Sequence, residues 1–465
     1  MKTEQSNTNG RLIAIIAMFF LFAMISFVTN LAAPIGTIWG NTFEGNSVLG
    51  MMGNMMNFLA YLFMGIPAGN LLVKIGYKRT ALWAMAIGVV GLFIQFLSSF
   101  VGAGAEAFSM TSTVVENGTE VVKEFTVCWN FFIYLLGAFV CGFCVCMLNT
   151  VVNPMLNLLG GGGNKGNQLL QTGGALNSLS GTLTPFFVGA LIGVLTKDTT
   201  MQAVTPLLFI AMGVFAAAFV IISFVAIPEP NLSKDGKAQK KYSHSPWNFR
   251  HTVLGVIGIF FYVGIEIGIP GTLNFYLSDQ NAATGAGVIG EASTIAGAVV
   301  AVYWLLMLVG RSLSGMISGK VSTRAQMITV SAVAIVLVIL AIFIPKTVVL
   351  PVPEMVYSGG AVVPVSAYLL VICGLCTSVM WGGIFNLAVE GLGKYTAQAS
   401  GIFMMMVVGG GVMPLLQQVI AKSTGYMNSY WLVVAMLAYL LLYGLVGCRN
   451  VNKDIPVDDT VEDAL

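Results

Sequence analysis

Glu266 lies in the middle of the apolar run VIGIFFYVGIEIGIPGTLNFYL and is the one carboxylate of this 465-residue sequence set well inside a long hydrophobic stretch. A charge in hydrocarbon costs about 2.5–3.5 kcal/mol on insertion scales, so a retained acid marks a point where something polar binds or passes. No Lys or Arg lies near it along the chain to form a simple ion pair. Its carboxylate could carry a proton, coordinate Na⁺ with neighbouring oxygens, or accept from a solute hydroxyl. Amides accompany it: Asn149, Asn153 and Asn157 fall at i, i+4 and i+8 on one helical face, and Asn54 and Asn57 at i and i+3. An amide donates and accepts at once, which suits vicinal hydroxyls. Tyr262, Tyr276, Trp304 and Trp381 offer ring faces for the C–H side of a sugar. The solute contacts expected from these types and positions are Asn30, Asn54, Asn57, Asn149, Asn153, Asn177, Tyr262, Glu266, Asn274 and Trp381. The competing reading of each amide is interhelical glue worth about 1 kcal/mol.

Arg311 falls towards the end of its apolar run and, with Lys74 and Lys78, is expected at a gate rather than on the solute. The spans then offer no buried cation to an anionic solute. Other signals lead nowhere chemical. GGGGNKGN (Gly160–Asn167) lacks the GK[ST] of a phosphate loop. The CGFC and CGLC pairs lie in apolar runs without His, so packing explains them better than metal or redox chemistry. His244 and His251 are expected in a solvated loop. No paired acids, nucleophile or metal cluster points to an enzyme, and no cofactor or metal is expected.

Composition explains what must position these residues. With 57% hydrophobic and 9% charged residues, no aqueous fold could hide the apolar surface. The net charge of +2 gives no reason to expect nucleic acid. Twelve apolar runs, each long enough to cross a bilayer core of roughly 30 Å, can be placed at 11–36, 49–72, 80–101, 128–158, 168–195, 205–227, 251–277, 294–319, 326–345, 365–389, 397–421 and 429–447. With both termini inside, 17 of the 21 Lys and Arg face the cytoplasm, among them Lys234, Lys237, Lys240 and Lys241. The acidic outer segment 102–125 is expected to be a solvated insertion, with Asn117-Gly118-Thr119 a glycosylation sequon there.

The chain also repeats. CGFC followed by NPMLNLLG (Asn153–Gly160) recurs as CGLC followed by NLAVEGLG (Asn386–Gly393), and Gly69, Lys74 and Lys78 share the spacing of Gly315, Lys320 and Arg324. Two six-span bundles, 1–227 and 251–465, joined by a hydrophilic linker 228–250 and ending in a short acidic tail, would give this pattern.

Those strings carry a resemblance. GNLLVKIGYKR after the second span resembles the loop signature of the major facilitator superfamily, with Val73 where that signature has an acid. TNLAAP, MGIPAG, LNTVVNP, ALNS, FYVGIE, VGR and ASGIFMMMVVGGGVMP are similar, in order, to the fucose, glucose and galactose symporter branch. The resemblance implies an all-α membrane protein of twelve helices in two pseudo-symmetric bundles. It also implies a carrier in the inner membrane that moves a monosaccharide by alternating access. Fucose-type proton symporters place acids where this chain has Asn30 and Asn149; an amide carries no proton, so coupling at those two places does not transfer. Coupling to H⁺ or Na⁺ through Glu266, or none, stays open, as do nucleosides or sugar acids as solutes. The expected partners are the solute and membrane lipid, with the protein a monomer.

Overall fold

The computed structural model describes residues 2–43, 47–116, 119–192, 199–229, 244–279, 285–289 and 291–457. Asn117 and Gly118 of the sequon, Lys197, the linker lysines 234, 237, 240 and 241, and the acidic residues from 458 onward lie outside them.

Helices dominate: α1 (Lys2–Asn30), α2 (Ala32–Thr42), α3 (Ser47–Leu97), α4 (Trp129–Gly160), α5 (Gly163–Ile192), α6 (Thr205–Phe224), α7 (Arg250–Ser278), α8 (Ala292–Ile317), α9 (Thr323–Phe343), α10 (Val365–Val389), α11 (Thr396–Met405), α12 (Gly409–Thr424) and α13 (Tyr426–Leu442). Among the described residues ten segments are long and apolar enough to cross a membrane. One of them contains α3, which is two helices joined at Gly76, where φ is 84° and only glycine is unstrained. The other departure is α5, whose Asn, Gln, Ser and Thr lower its hydropathy. Its 30 residues span about 45 Å, enough to cross. Split α3 and include α5, and the twelve expected spans are accounted for.

One compact unit comprises residues 1–152 and 179–239. Its α3–α4 seam is made by small residues: a Cβ on Gly88 would meet Cys144 Sγ at 2.7 Å, and one on Gly91 would meet Cys141 Sγ at 2.7 Å. The cysteines therefore pack helices, as expected, without a lipid hydrophobic gradient to drive the contact. At the break after Gly76, the Glu229 carboxylate accepts from the amides of Tyr77 (2.6 Å) and Lys78 (2.8 Å), the first of the new helix. Lys78 Nζ donates to the Ser223 carbonyl (2.7 Å) at the end of α6.

The acidic segment expected to be a solvated insertion is an antiparallel hairpin of β1 (Glu106–Glu116) and β2 (Thr119–Cys128). Two apolar side chains pin it. Phe125 and Val127 are buried, and the Phe125 ring lies 5.5 Å from Phe43, itself packed edge-on to Phe131 at 4.9 Å. A shorter hairpin, β3 (Val349–Pro351) with β4 (Val362–Pro364), precedes α10.

The other compact unit comprises residues 153–178 and 240–465. Its α11 and α12 are separated by a 3₁₀ turn at Met406–Val408. There a Cβ on Gly409 would sit 2.0 Å from the Phe260 carbonyl, so the helices meet backbone to backbone. The segment after α13 is held at two places: the Arg250 amide at the start of α7 donates to Asn452 Oδ1 (3.0 Å), and the Lys394 amide before α11 donates to the Val457 carbonyl (3.3 Å). Gly393, at φ 49°, leaves room for that carbonyl, which would lie 2.4 Å from a Cβ. His251, expected in a solvated loop, is fully buried in the first turn of α7, with Nε2 3.0 Å from the Glu390 carbonyl. The sequence hides this because hydropathy rises only after it, while Phe249 just upstream is already buried.

Candidate functional site

Among its described residues the second unit holds a charged focus, and α7 shapes it. Pro270 has no amide to bond the Glu266 carbonyl four residues back, so that oxygen is freed. The Tyr303 hydroxyl of α8 lies 3.4 Å from the freed carbonyl and 2.9 Å from Thr377 Oγ1 of α10. Close approach of α8 and α10 depends on Gly374, whose Cβ would stand 2.4 Å from the Tyr303 carbonyl.

Arg311 overturns the expectation that Glu266 has no partner and that the spans hold no buried cation. Its Nη2 donates to Glu266 Oε1 at 3.1 Å, while Nη1 donates to Ser178 Oγ at 2.7 Å and to the Gly174 carbonyl at 3.3 Å. The two side chains are 11% and 15% exposed, so the pair is largely but not wholly withdrawn from the surface. The Tyr262 hydroxyl, one helical turn before Glu266, is buried beside the pair, and its ring lies 6.1 Å from that of Trp381. Burying two charges costs several kcal/mol per ion before they attract each other, so such a pair argues for function more than for stability.

Beside the pair, the 153–178 hairpin is tied to α8, α9 and α10 almost wholly by neutral groups. Trp381 Nε1 donates to Asn153 Oδ1 (3.1 Å), and Asn157 Nδ2 donates to Asn386 Oδ1. Asn386 Nδ2 in turn donates to Thr323 Oγ1 (3.1 Å). Further along, Asn167 Nδ2 donates to Ser318 Oγ (3.0 Å) and Gln171 Nε2 to the Val379 carbonyl (2.9 Å). A Cβ on Gly382 would meet Gln171 Nε2 at 2.8 Å, so the hairpin needs glycine there to close in.

The expected contacts therefore distribute unevenly. Tyr262, Glu266, Trp381 and Asn153 come together, joined by Arg311, which had been assigned to a gate. Asn274 lies two turns further along α7, where it accepts from Ser278 Oγ (3.2 Å). Asn177 is half-buried on α5. In the first unit Asn149 Nδ2 donates to Tyr61 Oη (2.9 Å), and Asn30 Nδ2 donates to the Ser26 carbonyl (2.8 Å). Asn57, with a buried unpartnered Oδ1, lines a small cavity with Thr29, Gln95 and Tyr134. Asn54 is half-buried on the same helix, and Lys74 is exposed. Trp304 is 37% exposed; its neighbour Tyr303 is the aromatic residue that faces Glu266. Tyr303, Thr377 and Ser178 were missed because single hydroxyls inside apolar runs look like ordinary helix residues.

Comparison with known proteins decides the family. The Major Facilitator Superfamily profile matches residues 14–414. The chain belongs to the Major Facilitator Superfamily. It is accordingly a multi-pass membrane transporter with the all-α fold of that superfamily, and not an enzyme. A glucose/galactose transporter of Brucella abortus is 28% identical over 455 residues, covering 97% of this chain and 98% of that protein. A putative glucose/galactose transporter of Helicobacter pylori is 26% identical over 452 residues, covering 93% and 96%. The crystal structure of the E. coli fucose:proton symporter superposes with a TM-score of 0.70 at 15% identity, over 93% of this chain and 98% of that one. Within the superfamily fold, that structure supports the architecture alone.

Proposed function

We propose that this transporter carries a monosaccharide across the cytoplasmic membrane by alternating access of two six-helix halves, 1–227 and 251–465, around a site near the bilayer midplane. The observation that carries the reading is the Glu266–Arg311 pair, bordered by Tyr262, Tyr303, Thr377 and Trp381. That group combines hydroxyl donors, a carboxylate acceptor and ring faces, the mixture a polyhydroxylated ring requires. The names of the Brucella and Helicobacter relatives support a hexose as solute. Both termini are assigned to the cytoplasm, and the working unit is a monomer.

Counterflow tests the reading: proteoliposomes preloaded with unlabelled glucose, galactose or fucose should accumulate the matching labelled sugar transiently. Failure with every neutral hexose, in protein that remains folded, would overturn it. Glu266 is also the residue proposed to couple transport to H⁺ or Na⁺. It is the one carboxylate at the focus, and Arg311 holds it where a change of charge would be felt by α5, α7 and α8 together.

A further inference from the structure

Arg311 is the side chain in this site most suited to bind a carboxylate. Its planar guanidinium forks onto carboxylate oxygens, and in α5, α7, α8 and α10 no other Lys or Arg lies away from a helix end. Left free, it would make the site a receptor for sugar acids. It is not free: one edge is taken by Glu266 Oε1 and another by Ser178 Oγ and the Gly174 carbonyl. The site thus holds one positive and one negative charge. The guanidinium engages Oε1 of the carboxylate.

We infer that Glu266 is a specificity-determining residue: as the internal counter-ion of Arg311 it admits neutral monosaccharides and turns sugar acids away. The inference rests on the transport reading above and deepens it. A hexuronate carboxylate approaching Arg311 must either displace Glu266, leaving that acid buried and unpaired, or settle beside it as a like charge. Either route is penalised for the anion and absent for the neutral sugar, which is how a repulsive element creates specificity. The same logic runs in reverse. Without Arg311, the unpaired carboxylate would favour a cationic amino sugar.

The test measures displacement of labelled glucose from the purified full-length transporter by unlabelled glucose, glucuronate and, at a pH where its amine is charged, glucosamine. In the wild type glucose should compete and glucuronate should not. Glu266→Gln should raise the affinity for glucuronate relative to glucose about tenfold or more. Glucuronate should also raise the melting temperature of that variant, because the anion now compensates the stranded guanidinium. Arg311→Gln should shift the preference towards glucosamine, and the double variant, neutral again, should lose both gains. Either single variant reads the filter without the other, so a folding failure in one leaves the proposal exposed to the second. Unchanged competition ratios in a folded single variant that still binds glucose would overturn the filter. A folded wild type that binds no neutral hexose would instead strike at the transport reading.

Discussion

The indole nitrogen of Trp381 donates to the side-chain carbonyl of Asn153 across 3.1 Å, joining α10 to α4 within one compact unit. Asn153 is fully buried, so Trp381 acts at once as a ring beside Tyr262 and as one hydrogen-bond partner of this amide. Trp381→Phe keeps a ring and removes the donor, whereas Asn153→Ala removes the acceptor. Each should weaken hexose binding by about 1–3 kcal/mol, as expected when a solute hydroxyl loses a buried partner. Equilibrium binding to purified variants measures this, and unchanged affinity would place the solute elsewhere.

Removing Arg311 strands its partner. Arg311→Ala should destabilise the protein by about 3–5 kcal/mol, because a buried carboxylate loses its only ion-pair partner among the described residues. Chemical denaturation in detergent should show the loss. The paired change Glu266→Gln with Arg311→Gln should recover most of it, and failure to recover would mean that the charges are not mutually compensating.

Coupling is read with Glu266→Gln. If the carboxylate carries the coupling ion, this variant should keep hexose exchange in counterflow and lose accumulation driven by a proton or sodium gradient. Glu266→Asp, which keeps the charge with a shorter reach, should lie between. Gradient-driven accumulation that survives in Glu266→Gln would remove the residue from the coupling step.

The orientation proposed from the Lys and Arg asymmetry is open to direct labelling. In a Cys-free background and intact cells, an impermeant thiol reagent should label Glu116→Cys and spare Lys237→Cys. The opposite pattern would invert the topology.

Glu229 holds the break in α3 by accepting two helix-start amides. Glu229→Ala should lower stability by about 1 kcal/mol, as loss of a cap does, whereas Glu229→Gln keeps an acceptor and should cost less. Thermal melts of the two variants separate capping from charge.

The fold was legible because bilayer thickness imposes its length on each apolar run, and the charged stretch between runs 49–72 and 80–101 falls where the chain breaks at Gly76. The site was legible in part. Glu266 stood out because a lone acid in hydrocarbon is rare, but its partner lies 45 residues away on another helix. Spacing along one helix says nothing about which residue a neighbouring helix turns towards it. Arg311 was assigned to a span end because its distance from hydropathic boundaries was all the sequence offered; its long side chain reaches further than its Cα position suggests. Trp304 and Tyr303 show the same limit at one-residue scale, since adjacent helical positions differ by about 100° and only packing decides which points inward.

The seat that Gly393 provides for the Val457 carbonyl also sets an order of events during synthesis. The two residues are 64 positions apart, so at about 5–20 residues per second the α10–α11 turn leaves the ribosome roughly 3–13 s before the segment that will close over it. Throughout that interval the carbonyl that the Lys394 amide will donate to has not yet been made.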